Sequence, residues 1–152
     1  GPAKRLDPCA YHRGQMWWAM QLGAEGTFYW ALGCGGGIGD SWRAYAQTGV
    51  EYAPFFVGPN AVTEGKHMEA VREGVQDYEY HRMLRQAVQA ARTRKGDPDL
   101  IRRAETLLEE GPRRVTATIA PGSFTWSGQN DHAVMDRVRL EMLEALARLQ
   151  AP

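Results

Sequence analysis

Residues 66–84, KHMEAVREGVQDYEYHRML, constrain the fold more than any other part of the chain, because they form a long helical segment with charges stacked along one side. At ~3.6 residues per turn, Glu69, Glu73 and Asp77 occupy successive i, i+4 positions. Like charges placed in this way repel by ~0.2–0.5 kcal/mol per pair, so the row calls for cationic partners from outside the helix. Arginines such as Arg13 or Arg43 are candidates. The same row continues through Tyr80, Leu84, Ala87 and Ala91, a stripe expected to be buried. Glu69, Arg72, Glu73 and Asp77 therefore read as a structural ion-pair set, with no catalytic role.

The pattern around this segment predicts a helix-rich α/β chain. Asp7-Pro8 is a helix opening, with Asp as N-cap and Pro in the first turn, and the helix should run to Leu22 before Gly23 stops it. Met16, Trp17, Trp18, Ala19 and Met20 place apolar groups all round it, which predicts burial on several sides. Residues 26–32 read as a wholly apolar, aromatic strand of the kind found in a parallel sheet with both faces covered. A glycine-rich loop (33–39) follows, then Asp40-Ser41-Trp42, then an extended piece over 52–57. The turn Gly58-Pro59-Asn60 should deliver the chain into the long helix, expected over 66–92. Gly74 costs that helix ~1 kcal/mol relative to Ala, and makes sense where another backbone packs closely, the aromatic strand being the natural candidate. A shorter helix should open at Asp97-Pro98 and close at Gly111-Pro112, leaving Glu109-Glu110 as a solvated helix end. Residues 115–119 read as a strand or extended link and 123–130 as a loop. A final amphipathic helix covers 131–149, with Val134, Val138, Leu140, Leu143, Leu146 and Leu149 among its apolar positions.

With 152 residues, 43% of them hydrophobic, and 18 basic residues balancing 18 acidic ones, the chain can bury the core of one domain, taken as 7–152. Residues 1–6 read as a leader in which Gly1-Pro2 resembles the scar of a removed tag. Charge balance and the lack of a long basic run argue against nucleic acid and anionic membranes as partners. No apolar stretch approaches the ~18 residues of a membrane helix. Two cysteines, Cys9 and Cys34, do not make a disulfide framework, and one bridge between them stays open. Four histidines, His12, His67, His81 and His132, show no metal-ligand spacing, so no metal or cofactor is expected. The glycine run lacks both the register of a dinucleotide loop and a phosphate-loop lysine.

Several motifs occur in an order that resembles the end of the catalytic barrel in glycoside hydrolase family 123 and its uncharacterised relatives. They are Asp7-Pro8-Cys9-Ala10-Tyr11, Trp17-Trp18, Leu22-Gly23-Ala24-Glu25-Gly26, Phe28-Tyr29-Trp30 and Phe56-Val57-Gly58-Pro59-Asn60. The helix then carries Glu69, Ala70, Arg72, Glu73, Gly74, Asp77, Tyr78 and Glu79. Ala61 stands where the family usually has Gly, and Gly33-Cys34-Gly35 where a polar residue often follows the strand. A complete (β/α)8 barrel needs roughly 200 residues or more. The resemblance thus implies the last strand or strands and the closing helices of a barrel, incomplete by itself. The implied partners are the missing N-terminal part of the barrel, or another copy, and carbohydrate.

The implied parent activity is hydrolysis of a terminal β-linked N-acetylgalactosamine or related 2-acetamido sugar, the substrate's own acetamide attacking the anomeric carbon. Relatives use an adjacent Asp-Glu pair for this chemistry, and no such pair occurs here. The isolated chain is therefore expected to be inactive, and no catalytic residue is assigned. The parent is compatible with an extracytoplasmic setting, but no signal-like segment assigns a compartment.

Candidate substrate-binding residues are Tyr29, Trp30, Asp40 and Trp42, at the C-terminal side of the expected strand, where barrel enzymes collect their chemistry. Strand alternation puts Tyr29 and Trp30 on opposite faces, and Trp30 is the favoured sugar platform, with a plain core tryptophan as the competing reading. Asp40 fits either a sugar hydroxyl or a helix cap. A non-catalytic carbohydrate-binding or oligomerising helical module is the alternative for the whole chain.

Overall fold

The structure, a computed structural model, describes residues 9–28, 40–48, 54–119 and 132–151. Within them the chain forms five helices and one short hairpin, so the expected helix-rich character holds. The Asp7-Pro8 opening, Tyr29, Trp30, the glycine-rich loop with Cys34 and the 123–130 loop lie outside the described residues.

Helix α1 (Cys9–Leu22) ends where its sequence says it should. Gly23 takes φ 65°, a left-handed conformation that glycine adopts without a Cβ penalty. Its N–H donates to the Met20 carbonyl at 3.3 Å while Ala24 N–H reaches back to Ala19 at 2.9 Å, closing the helix with a Schellman pattern. Apolar groups all round α1 match its surroundings, since it packs against both α3 and α4 and buries Ala10, Trp17, Ala19 and Met20. Beyond it, Gly26 to Phe28 show no strand, and Phe28 is 84% exposed. The two-stranded hairpin is the one sheet among the described residues, so nothing described there pairs with this segment.

Helix α2 (Ser41–Thr48) leads to strand β1 (Phe55–Val57), which turns back into β2 (Val62–Glu64). The Gly58-Pro59-Asn60 turn is thus the tip of an antiparallel hairpin, not a direct entry to the long helix. Its register pairs Phe55 with Glu64, Phe56 with Thr63 and Val57 with Val62, and Gly58 N–H donates to the Ala61 carbonyl at 2.8 Å. At three residues, β2 is too short for an alternating pattern to announce it.

Helix α3 (Lys66–Thr93) is the axis of the molecule. Its buried positions include His67, Ala70, Gly74, Asp77, His81, Leu84, Val88 and Ala91, spaced alternately by three and four. That spacing is the seam of helix-on-helix packing. The acidic row follows a different line: each i, i+4 step advances ~40° round the helix, so Glu69 and Asp77 diverge by ~80°. Asp77 alone of the three acids reaches the seam.

The close approach expected at Gly74 comes from α1 and not from a strand. A Cβ there would stand 2.7 Å from the Arg13 carbonyl oxygen and 3.1 Å from Met16 Cγ. The absent side chain allows two helix backbones to touch.

Helix α4 (Pro98–Thr116) opens as expected, with the Asp97 side chain accepting from Asp99 N–H at 2.8 Å. It does not close at Gly111-Pro112. Both residues are buried inside the helix, which continues to Thr116, so 115–119 form a helix end and turn in place of a strand or link. A Cβ at Gly111 would meet Val138 of the next helix at 2.9 Å, so this glycine serves packing. Glu109 and Glu110 are exposed within the helix, each 3.0 Å from Arg113. Helix α5 (His132–Gln150) buries Met135, Val138, Met142, Leu146 and Leu149. Leu140, expected at the core, is exposed, and Met135 and Met142 take the inner face instead. These side chains join Trp17, Leu84, Val88, Ile101 and Val115 in one core between α1, α3, α4 and α5.

Candidate functional site

Two constellations stand out: a buried charge network in the helical core and an aromatic surface on α2 and the hairpin. The first is centred on Asp77, whose side chain is 0% exposed. Arg13 on α1 donates from Nε to Asp77 Oδ2 at 2.8 Å and, through Nη2, to Oδ1 at 3.4 Å. The Trp17 indole N–H, one turn further along α1, donates to the same Oδ2 at 2.9 Å. Arg139 Nε from α5 reaches Oδ1, and Arg139 Nη2 donates to the Glu73 carbonyl at 3.0 Å. Arg13 Nη1 also approaches Asp136 Oδ1 at 2.7 Å and Glu73 Oε2 at 3.4 Å.

One carboxylate thus holds three helices together. An ionised side chain without such partners would carry a desolvation penalty of several kcal/mol in this position, and the paired geometry offsets it. Burial by itself would lower the Arg13 pKa, but the hydrogen bond and charge of Asp77, and then those of Asp136, outweigh it and raise it. Asp77 is enclosed and saturated with donors, so it is in no position to meet a substrate.

Glu69 stands apart from this network. It pairs with Arg72 on the surface at 2.6 Å, and Glu64 of β2 stands close by. Hydrogen bonds from Arg72 first, then Glu64, pull its pKa below the ordinary carboxylate range. That of Glu64 moves upward through its hydrogen bond and charge contact with Glu69. Arg43, offered as a partner for the acidic row, makes no ion pair among the described residues; its backbone N–H instead donates to Asp40 Oδ1 at 3.1 Å.

That bond makes Asp40 the cap of α2, the second of its two expected roles, and Ala44 N–H donates to the Asp40 carbonyl at 3.0 Å. Ser41, the first residue of α2, is buried and accepts from Val57 N–H at 3.0 Å through Oγ, which ties the helix to β1. One helical turn then brings Trp42 and Tyr45 to the same side of α2. Both pack on Phe56: the Trp42 ring stacks at 3.9 Å with 16° between planes, and Tyr45 meets Phe56 edge-on at 5.9 Å and 80°. Phe56 is buried whereas Trp42 is 47% exposed, so one indole face is covered and the other is turned outward.

Of the four residues predicted to contact substrate, the structure places Asp40 at the cap of α2 and Trp42 in its first turn; Tyr29 and Trp30 lie outside the described residues. Sequence reasoning missed Trp17, Asp136 and Arg139 in the network. A tryptophan on an apolar helix must find a partner for its N–H when buried, which is the one local signal that pointed to it. Among the described residues no group of three or more His, Cys, Asp or Glu side chains is arranged to hold a metal ion, and no helix is long and apolar enough to cross a membrane. Cys9 carries a free thiol. No protein-family model, no curated protein and no solved structure matches the chain.

Proposed function

We propose that this chain is the C-terminal portion of a glycoside hydrolase-like (β/α)8 protein, and that its contribution to the sugar site is an aromatic wall that includes Trp42. The parent reaction would be hydrolysis of a terminal β-linked N-acetylgalactosamine or related 2-acetamido sugar with assistance from the substrate's acetamide. The observation that carries the reading is the Trp42 indole, held flat by Phe56 with its outer face exposed. Such a face suits the C–H side of a pyranose ring. The ordered motifs of residues 7–84 supply the sugar class.

The reactive acid and the group that orients the acetamide belong, on this reading, to the preceding part of the barrel. The acids described here have other tasks: Asp77 and Glu73 meet Arg13, Glu69 meets Arg72, and Asp40 caps α2. The test is release of a chromophore from 2-acetamido glycosides by the chain alone and by the chain joined to the preceding segment of its reading frame. Turnover is expected only from the joined protein. Turnover by the chain alone would sink the division of labour.

A second reading, a non-catalytic carbohydrate-binding or oligomerising module, draws support from the hairpin. Strand β2 pairs with β1 alone among the described residues, and its three residues are exposed, Val62 among them. An open edge of this kind favours association. A dimer mass in solution, together with sugar binding and no hydrolysis by the joined protein, would favour this reading over the first.

A further inference from the structure

Helices α1 and α3 run side by side in the same direction, from Cys9 Sγ, 4.0 Å from the Lys66 carbonyl, to the Tyr78 hydroxyl, which donates to the Ala24 carbonyl at 3.4 Å. Next to the close contact at Gly74 they leave a cleft of about 210 Å³. Its apolar lining comes from Met16 and Ala19 of α1 and from Val75 and Tyr78 of α3. Glu25 and Glu79 also line it, and among the described residues no lysine or arginine does.

The two acids are held in place with acceptor capacity to spare. The glycine-closed end of α1 and the Tyr78–Ala24 bond fix the backbone next to Glu25, whose side chain has no hydrogen bond or ion pair among the described residues. Glu79 meets Arg82, but Nε at 2.9 Å and Nη2 at 2.8 Å both go to Oε2, which leaves Oε1 without a partner among the described residues. That pair is half exposed and weakly held. An apolar cleft with an aromatic side chain and two acids is complementary to a group with a hydrocarbon stem and a positive head. A guanidinium suits it better than an ammonium, being planar, less strongly hydrated and able to stack on a tyrosine ring.

Size and surroundings favour a side chain over a free small molecule. Small-molecule sites usually occupy ~300–1,000 Å³, and this cleft is smaller. Beside it stand two exposed apolar residues: Leu22, one turn after Ala19 on α1 and 73% exposed, and Phe28, two residues after the cleft-lining Gly26 and 84% exposed. Apolar surface rimmed by charge marks a protein contact. We propose that the α1–α3 cleft is a docking site for a basic peptide segment of a partner protein. An arginine side chain of that segment enters the cleft towards Glu25 and Glu79, while its apolar neighbours rest on Leu22 and Phe28.

NMR titration of the chain with the acetylated, amidated tripeptide Leu-Arg-Leu tests the proposal, with citrulline in place of arginine as the neutral isostere. The arginine peptide should shift the methyl signals of Met16, Ala19 and Val75, and the citrulline peptide should bind at least roughly tenfold more weakly. Glu25→Gln/Glu79→Gln, which keeps the shape of the cleft and removes both charges, should weaken the arginine peptide by a similar factor. Equal binding of the two peptides to the wild-type chain, or no methyl shifts up to roughly 10 mM peptide, would overturn the proposal whether or not the variant folds. Undiminished binding by the folded variant would do the same. Acetyl-arginine amide without its leucines should bind more weakly than the tripeptide; equal affinity would reduce the cleft to a small-cation site and overturn the peptide assignment.

Discussion

His81 donates the hydrogen bond that Pro112 takes away. Pro112 lies inside α4 and has no N–H, so the carbonyl four residues earlier, that of Leu108, lacks its helical donor. His81 Nε2 on α3 stands 3.0 Å from that oxygen. A carbonyl only accepts, so the ring carries its proton on Nε2. The pair explains why α4 runs through a Gly-Pro sequence that ordinarily ends a helix, and it joins α3 to α4 at the same point.

His81→Phe should therefore cost about 1–3 kcal/mol, the range for a buried polar group left without its partner. In a Pro112→Ala background the helix supplies its own N–H to Leu108, and the same substitution should cost distinctly less. Urea unfolding of the four proteins in this cycle gives the coupling. Equal costs in both backgrounds would refute the assignment.

Asp77→Ala should destabilise the chain by about 3–5 kcal/mol, since Arg13 would then be buried without its principal counter-charge. Arg72→Ala, which breaks a surface pair with Glu69, should leave stability almost unchanged. Chemical denaturation of both variants checks the contrast, and a loss at Asp77 no larger than that at Arg72 would show that the network does not hold the helices together.

Gly74→Ala sets two effects against each other. Alanine favours the helix by about 1 kcal/mol. Its Cβ would stand 2.7 Å from a backbone oxygen of α1, which cannot swing aside as a side-chain tip can. The clash should win, with a net loss of about 1–3 kcal/mol measured by thermal or urea unfolding.

Stability should also decline with acidification before general acid unfolding. His12 binds its proton with a pKa of about 4 in the fold against 6.5 when unfolded, so the unfolded chain takes up protons first as pH falls. Stability is full above pH 6.5 and falls through about 4, by about 3 kcal/mol in all. Urea midpoints measured across that range, with His12→Phe/His67→Phe as control, give the share due to the histidine pair.

Trp42→Ala should remove stacking on Phe56 worth about 0.5–1.5 kcal/mol and leave the fold intact. If Trp42 is part of a sugar-contacting wall, calorimetry on the joined protein should show at least a roughly tenfold loss of N-acetylgalactosamine affinity. Unchanged affinity in a folded variant would remove Trp42 from the site.

Helix positions were legible wherever local chemistry decides them. Gly23 stops α1, Asp97-Pro98 starts α4, and the α3 pattern fixes that helix to within a residue of its expected end. The same local rules failed at Gly111-Pro112, where a histidine from another helix replaces the missing donor. At 131–149 a count of apolar residues placed Leu140 in the core, and packing chose Met135 and Met142 on the neighbouring line.

The sequence by itself determined that this is a helix-rich chain with a charged central helix whose acids require cations, and that a close backbone approach was needed at Gly74. Only the tertiary structure decided which acid is buried, which arginines meet it, and that the backbone at Gly74 is α1's. The physical reason is distance along the chain. Arg13 and Arg139 lie more than 60 residues from Asp77, and His12 and His67 come from two different helices. A spacing rule reaches a few turns of one helix, whereas charge pairing and contact between imidazole rings depend on which helices lie side by side.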